Sequence, residues 1–320
     1  MSVALAAFAI GIAFGAVARW SGFCLRGGVE DFLTTANAPR LRGFLLAMVV
    51  ALVGVQALVL MGRLGLSKAI VLPPTLFWGG ALLGGAMFGM GMVLAGGCGT
   101  RLLVLAAGGN LRSVVSIVLF ALVAYATIRG VLAPMRTALA SVSSVPAPVL
   151  PVAVGGIVAV AALAFIVWRG VPLKDLLGGA LIGLLVPAGY LVTGVLGNDA
   201  FEPTTVESLN VTRAAGDTLI YLLTWTGSKI NFGVAFVFGI LVGAALVAAV
   251  RHEFRLVGFE APRDMLRYFL GAALMGAGGV LALGCSVGNG LTGIASLAPT
   301  SFIALPAMVL SAAATMRFRR

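Results

Sequence analysis

The sequence predicts an all-α integral membrane protein with an inverted internal repeat, and three observations lead there. Of 320 residues, 61% are hydrophobic and only 10% are charged, with a mean hydropathy of +1.12. A soluble domain carries about 25% charged residues, so this chain has too little polar surface to show to water. Apolar runs of about 20 residues, long enough to cross roughly 30 Å of hydrocarbon, recur along its length. A short motif also occurs twice, as Gly96-Gly97-Cys98-Gly99-Thr100-Arg101 and as Leu283-Gly284-Cys285-Ser286-Val287-Gly288.

Taken in order, nine such runs span 3–19, 43–62, 75–96, 112–133, 149–168, 176–197, 231–250, 266–284 and 300–316. The first, from Met1 to Ala18, has no basic n-region and no small-residue cleavage site, so it reads as a mature helix rather than a signal peptide. Two apolar pieces, 101–107 and 289–297, follow the repeated motif and are too short to span. They are expected to re-enter the membrane or pack as half-helices. The stretch from Asn198 to Lys229, with Asp199, Glu202, Glu207 and Asp217, is the one soluble-looking segment and is too small to be a domain.

Assigning basic residues to alternate loops sets the orientation. Fifteen fall on the side that holds the C-terminus, and six (Arg63, Lys68, Arg129, Arg136, Arg213 and Lys229) on the other. Basic excess marks the cytoplasm, so the C-terminus is expected inside and the N-terminus outside. The net charge of +11 then reflects orientation bias at span ends, and with no long basic block it does not point to nucleic acid. There is also no nucleotide-binding motif for direct ATP coupling.

The same orientation makes the two motif copies antiparallel. Aligning 84–98 with 271–285, an offset of 187, gives nine identities in fifteen pairs. Repeat units of about 1–133 and 176–316 follow, linked by the helix over 149–168. Inverted repeats with interrupted helices place a site near the bilayer midplane, between the copies.

The motif residues suit such a site. Glycines at Gly97, Gly99, Gly284 and Gly288 tolerate the unusual backbone of a helix break. The half-helix that restarts after each break presents unpaired N–H groups and the positive end of its dipole, which attract anions. Arg101 either adds charge there or snorkels to the interface, and the sequence leaves both open. Gly288 stands at the aligned position in the second copy, with Asn289 beside it as a neutral donor.

Cys98 and Cys285 sit at the breaks, and Cys24 lies in another Gly-flanked turn, Gly22-Phe23-Cys24-Leu25-Arg26-Gly27-Gly28. A free cysteine is often only a small buried hydrophobe. Repetition at equivalent breaks argues against that for the pair, while Cys24 alone is evenly balanced. His252, the single histidine, lies in a charged loop. Asp175, Glu30, Asp31 and Asp264 stand near span ends and are expected to pair with neighbouring arginines. No carboxylate lies well inside a span, and no metal site, cofactor site or catalytic triad is apparent.

These residues resemble the YeeE/YedE family of bacterial inner-membrane proteins. The resemblance is carried by Gly22-Phe23-Cys24, by Gly96 to Arg101, by Gly284-Cys285-Ser286-Val287-Gly288-Asn289-Gly290-Leu291-Thr292-Gly293, and by Arg263-Asp264-Met265-Leu266-Arg267. It implies an hourglass-shaped inverted-repeat fold and uptake of thiosulfate or a related sulfur or selenium species. It places Cys24, Cys98 and Cys285 on the ion's route, and it implies a separate sulfur-carrier partner of the TusA type. The expected function is thus a non-enzymatic permease for a sulfur anion. Two rival readings are a membrane sulfurtransferase that forms a persulfide and a partner-recruiting subunit whose cysteines only pack.

Overall fold

A computed structural model of the chain describes residues 2–35, 38–66, 69–148, 150–169, 172–197, 205–259 and 261–319. Lys68, Asn198, Asp199, Glu202 and Arg320, which count toward the charge pattern and the soluble-looking segment above, lie outside the described residues. Among the described residues the regular elements are helices, apart from a two-stranded antiparallel ribbon, β1 (Thr75–Phe77) with β2 (Ser144–Pro146), in which Leu76 faces Val145, and two isolated bridges, Ala69 with Val206 and Asn110 with Val257.

The first half runs α1 (Ser2–Ser21), α2 (Leu25–Thr35), α3 (Pro39–Leu60), α4 (Trp78–Leu94), α5 (Gly99–Ala106), α6 (Leu111–Arg129) and α7 (Ala133–Ser143). Then come α8 (Val152–Arg169), α9 (Leu173–Leu191) with a π-helical extension Val192–Leu196, α10 (Val211–Leu223), α11 (Phe232–Val250) and α12 (Pro262–Leu281). A short helix over 286–295, π-helical across Gly288–Gly293, precedes α13 (Pro299–Phe318).

Local chemistry sets the ends of these helices. Proline opens α3, α12 and α13, where its missing N–H is no loss. Asparagine side chains cap α6, α10 and α11, accepting from Ser113, Thr212 and Val234 N–H at 3.1, 3.1 and 2.8 Å. At the ends of α3 and α4, Gly62 and Gly96 adopt left-handed φ of 67° and 76°. At the end of α12 the left-handed residue is Leu283, at φ 58°. A non-glycine residue there costs roughly 1 kcal/mol in backbone strain.

Among the described residues, seven helical segments are long and apolar enough to cross a membrane. Two of the nine sequence runs fall outside that set: α8 is described in full only as far as Ile166, and α12 opens on Arg263, Asp264 and Arg267. Large apolar side chains such as Leu5, Val53, Leu82, Leu122, Leu246 and Leu310 stand exposed around the bundle. Such an apolar outer surface suits lipid.

The segment expected to be an outward loop is corrected in part. Its second half forms α10, whose Val211, Ala214, Ala215 and Tyr221 are buried, with α6 and α11 packed against the helix. Its alternation of small and polar residues (Val-Thr-Arg-Ala-Ala-Gly-Asp-Thr) hid it from a hydropathy reading. Of the expected ion pairs, Glu30 meets Arg26 at 3.5 Å, Asp31 meets Arg40 at 3.5 Å and Asp264 meets Arg267 at 3.7 Å. Asp175 packs against Gly43, and Lys174, Arg40 and Arg42 act on its carboxylate. His252 is exposed in its loop.

Glycine brings the central helices together. A Cβ on Gly84 would stand 2.6 Å from Gly278 O and from Ala282 N. One on Gly271 would meet Ala95 N at 2.5 Å and Gly91 O at 2.8 Å. These two contacts are each other's counterparts under the 187-residue offset. Similarly, α1 packs on α11 through Gly11, Gly15, Gly239 and Gly243, and α9 packs on α3 through Gly179, Gly183 and Gly43. In lipid, where apolar burial drives little, this close van der Waals approach is what holds helices together.

Gly278→Val should therefore lower the thermal stability of the purified protein, by about 1–3 kcal/mol for forced overpacking. Gly156→Ala, on α8 with open space around it, should leave stability unchanged or slightly raised. Equal stability in the two variants would contradict this packing.

Candidate functional site

Four short helices start at breaks inside the bundle, and each starts on a thiol or a carboxamide. Cys24 precedes α2, Cys98 is the N-cap of α5, Cys285 precedes the 286–295 helix and Asn210 is the N-cap of α10. Gly27 N–H donates to Cys24 Sγ at 3.5 Å and Gly288 N–H to Cys285 Sγ at 3.3 Å, while Asn210 Oδ1 accepts from Thr212 N–H. The Cys98 thiol shares a hydrogen with the Thr100 hydroxyl at 3.4 Å. Ordinary N-caps are Ser, Thr, Asp and Asn, whose oxygens accept more strongly than sulfur does. Three thiols in that position point to a role beyond capping.

The tips of these helices meet. The Cys24 and Cys98 thiols face one another, and Cys285 lies near Cys98 and faces the first N–H of α10, at Val211. All three cysteines are free and buried, at 6%, 3% and 0% exposure for Cys24, Cys98 and Cys285. Ser286 Oγ is fully buried and faces the Cys98 thiol, with no oxygen or nitrogen partner among the described residues, and Thr212 Oγ1 is likewise buried without one. Orphan buried hydroxyls each cost about 1–3 kcal/mol. Both lie on helices that start at the junction.

The other sequence-predicted residues lie on the helices that meet here, in differing roles. Arg101 is half-buried over Gly97, and its charge acts on the Cys24 thiol. Gly99 brings α5 against Phe120 and Val211. Gly288 brings its helix against Asn210, so that a Cβ at this position would stand 3.0 Å from the carboxamide carbon. Asn289 does not face the junction as a free donor. Its Nδ2 donates to Ala282 O at 3.1 Å and to Gly284 O at 2.7 Å, and its Oδ1 accepts from Ser301. It is a strut that ties off the end of α12 past Gly284.

Asn210 and Ser286 were missed as site residues from the sequence. Asn210 stands 186 residues after Cys24, one short of the spacing between Cys98 and Cys285. That offset is the signal that marks it. Arg26 adds a cation beside the break, donating to Gly96 O at 3.2 Å while its buried Nε has no partner.

A cavity of about 540 Å³ leads toward this junction. Arg129, Arg136, Arg213 and Lys229 line it, with Asp217 as the single lining carboxylate among the described residues. They are four of the six cations assigned to one side from the sequence. Asn210, Thr212 and Leu283 also line it, and a further space of about 20 Å³ beside them reaches Gly288, Thr292 and Glu207. Asn210 Nδ2 donates to Leu283 O at 3.2 Å, joining two residues that line both spaces.

Ser286→Ala should change the stability of the unliganded protein little, since the hydroxyl faces only the weakly accepting Cys98 thiol. Asn210→Ala should cost about 1 kcal/mol through loss of the cap. Thermal unfolding of both variants checks this, and a destabilised Ser286→Ala protein would mean that the hydroxyl already has a structural partner.

Comparison with known proteins shows the family of the chain. The family model described as sulphur transport matches the chain twice, over residues 20–174 and 168–314. The chain is similar to the thiosulfate transporter TsuA of Escherichia coli (strain K12), 30% identical over 336 residues that cover 97% of this chain and 92% of that protein. It is similar to the thiosulfate transporter TsuA of Spirochaeta thermophila, 28% identical over 327 residues and 92% of each chain. A stretch of 96 residues, 29% of this chain and 22% of the other, is 29% identical to the probable transporter YedE of Escherichia coli (strain K12). With nearly its whole length accounted for in this way, the chain belongs to the sulphur-transport family, YeeE/YedE, as a multi-pass membrane protein.

Proposed function

We propose that this chain is a permease for thiosulfate or a related sulfur-containing anion, and that the ion passes the thiols of Cys285, Cys98 and Cys24. The observation that carries this reading is the meeting of four buried helix N-termini, three of them bearing cysteines, close to a cavity lined by cations. Each helix N-terminus is equivalent to roughly +0.5 charge, so four supply on the order of +2. That matches a dianion, and low-dielectric surroundings strengthen the attraction.

On this proposal the cavity faces outward. Arg129, Arg136, Arg213 and Lys229 collect the anion, and Asn210 and Leu283 form the floor that must part to admit it. The hydroxyls of Thr212 and Ser286 then receive its oxygens, while the polarizable thiols receive its terminal sulfur. Such sulfur contacts are weak one by one. Weak successive sites suit conduction, because the ion must leave as well as enter.

The proposed architecture is an inverted repeat of about 1–133 and 176–316, with nine crossings and a cytoplasmic C-terminus in the bacterial inner membrane. The reciprocal glycine contacts between α4 and α12 and the double match to one family model support it. A separate sulfur carrier of the TusA type would then receive the anion on the cytoplasmic side, and the chain would be a conduit rather than a sulfurtransferase.

Uptake of labelled thiosulfate by cells lacking other importers tests the proposal. Cys98→Ala and Cys285→Ala should each lower uptake about tenfold or more, the loss of one ~1.4 kcal/mol interaction. Arg136→Glu should slow uptake most at low ionic strength, where charge steering is least screened. Full uptake by both cysteine variants would remove the thiols from the route, and a stable one-sulfur adduct on purified wild-type protein would favour the transferase instead.

A further inference from the structure

Glu207 is a half-buried carboxylate that the anion route described above does not use. It sits in the segment between the π-helical end of α9 and the start of α10. Thr193 fixes its backbone from both sides, its Oγ1 donating to Glu207 O at 2.6 Å and accepting from Glu207 N–H at 3.2 Å. The next residue, Ser208, donates to Val186 O at 2.8 Å. The Glu207 backbone is thus held in one place, beside the small cavity that the residue shares with Tyr190, Asn210, Arg213, Leu283 and Gly288. These are the same Asn210 and Leu283 that form the proposed floor of the large cavity.

The titratable groups facing Glu207 among the described residues are Arg213 and Asp217 of α10 and Tyr190 of α9. The remaining walls, from 69–71, the end of α12 and the 286–295 helix, contribute Ile70, Val71, Leu283, Gly288 and Thr292, which do not titrate. Arg213 divides its charge between two carboxylates, because its Nε pairs with Asp217 Oδ2 at 3.7 Å. A negative charge fixed at this floor repels an anion that has to pass it. The repulsion disappears when the carboxyl holds a proton.

We propose that Glu207 is a proton-binding site linked to the anion site, so that an anion reaching the floor brings one proton onto this carboxyl. The inference rests on the anion-permease reading and adds a coupling ion to it. Burial already lifts the Glu207 carboxyl to about 7, with Arg213 pulling it down and Asp217 pushing it up. A dianion at the N-terminus of α10 raises it further. The sign follows: binding is tightest where the carboxyl is protonated and weakens as pH rises through about 7.

Calorimetric titration of the purified full-length chain with thiosulfate between about pH 5.5 and 8.5 tests this, since thiosulfate itself remains a dianion across that range. The wild-type affinity should fall above about pH 7 with a limiting slope of about tenfold per pH unit, the signature of one linked proton. Glu207→Gln should bind with little pH dependence, and at high pH more tightly than wild type. Glu207→Asp, which keeps a carboxyl, should keep a slope with a shifted midpoint. A flat wild-type profile, or an unchanged slope in Glu207→Gln, would overturn the proton site while leaving the permease reading intact. Absence of thiosulfate binding to wild type at every pH would overturn the permease reading, and the proton site with it.

Discussion

A helix that begins inside a bilayer-embedded bundle leaves its first N–H groups without intrahelical partners, and hydrocarbon offers no water to take them. This chain does so four times at one place, at Cys24, Cys98, Asn210 and Cys285. The rest of the structure can be understood as what makes that arrangement bearable. Glycines let α4 and α12 cross at backbone contact, which brings the breaks at the ends of both helices together. Sulfur and carboxamide caps satisfy part of the unpaired donors. What is left over, two buried hydroxyls and a surplus of positive dipole ends, is what the proposed function assigns to an anion.

Charge is graded along the proposed path. Guanidinium and ammonium groups line the wide cavity, and neutral N–H, O–H and S–H groups occupy the buried junction. A full cation at the narrow point would hold an anion too long, whereas dipoles and thiols bind it less firmly. Leu283 occupies that transition in a left-handed conformation, where its counterpart Gly96 needs no such strain. Strained backbone at the boundary between cavity and thiols is the kind of feature that accompanies movable parts of a site.

Much of this was legible in the sequence because the relevant signals are crude and repeated. Composition alone implies a membrane protein, and the second Gly-Cys break at a fixed offset from the first implies a duplicated, interrupted helix. The residues that escaped carry the same role in different chemistry. Asn210 takes the place of a cysteine, so a search for thiols passes it by, and α10 behind it is too rich in Thr, Arg, Asp and Gly to read as apolar. Asn289 shows the reverse error: a carboxamide beside a break looks like a free donor, yet both of its polar atoms are engaged in tying off α12. What each carboxamide holds depends on partners far away in sequence, such as Ser301 for Asn289 and Leu283 for Asn210. Spacing carries no information about those.

Everything proposed for this chain depends on an anion lodging among the helix tips. The most direct measurement is an experimental structure of the protein saturated with thiosulfate. The expected result is the ion at the junction, its oxygens within hydrogen-bond distance of Ser286 Oγ and its terminal sulfur against the thiols. Thiosulfate seated only in the outer cavity, with the cysteines still sealed in side-chain packing, would contradict it.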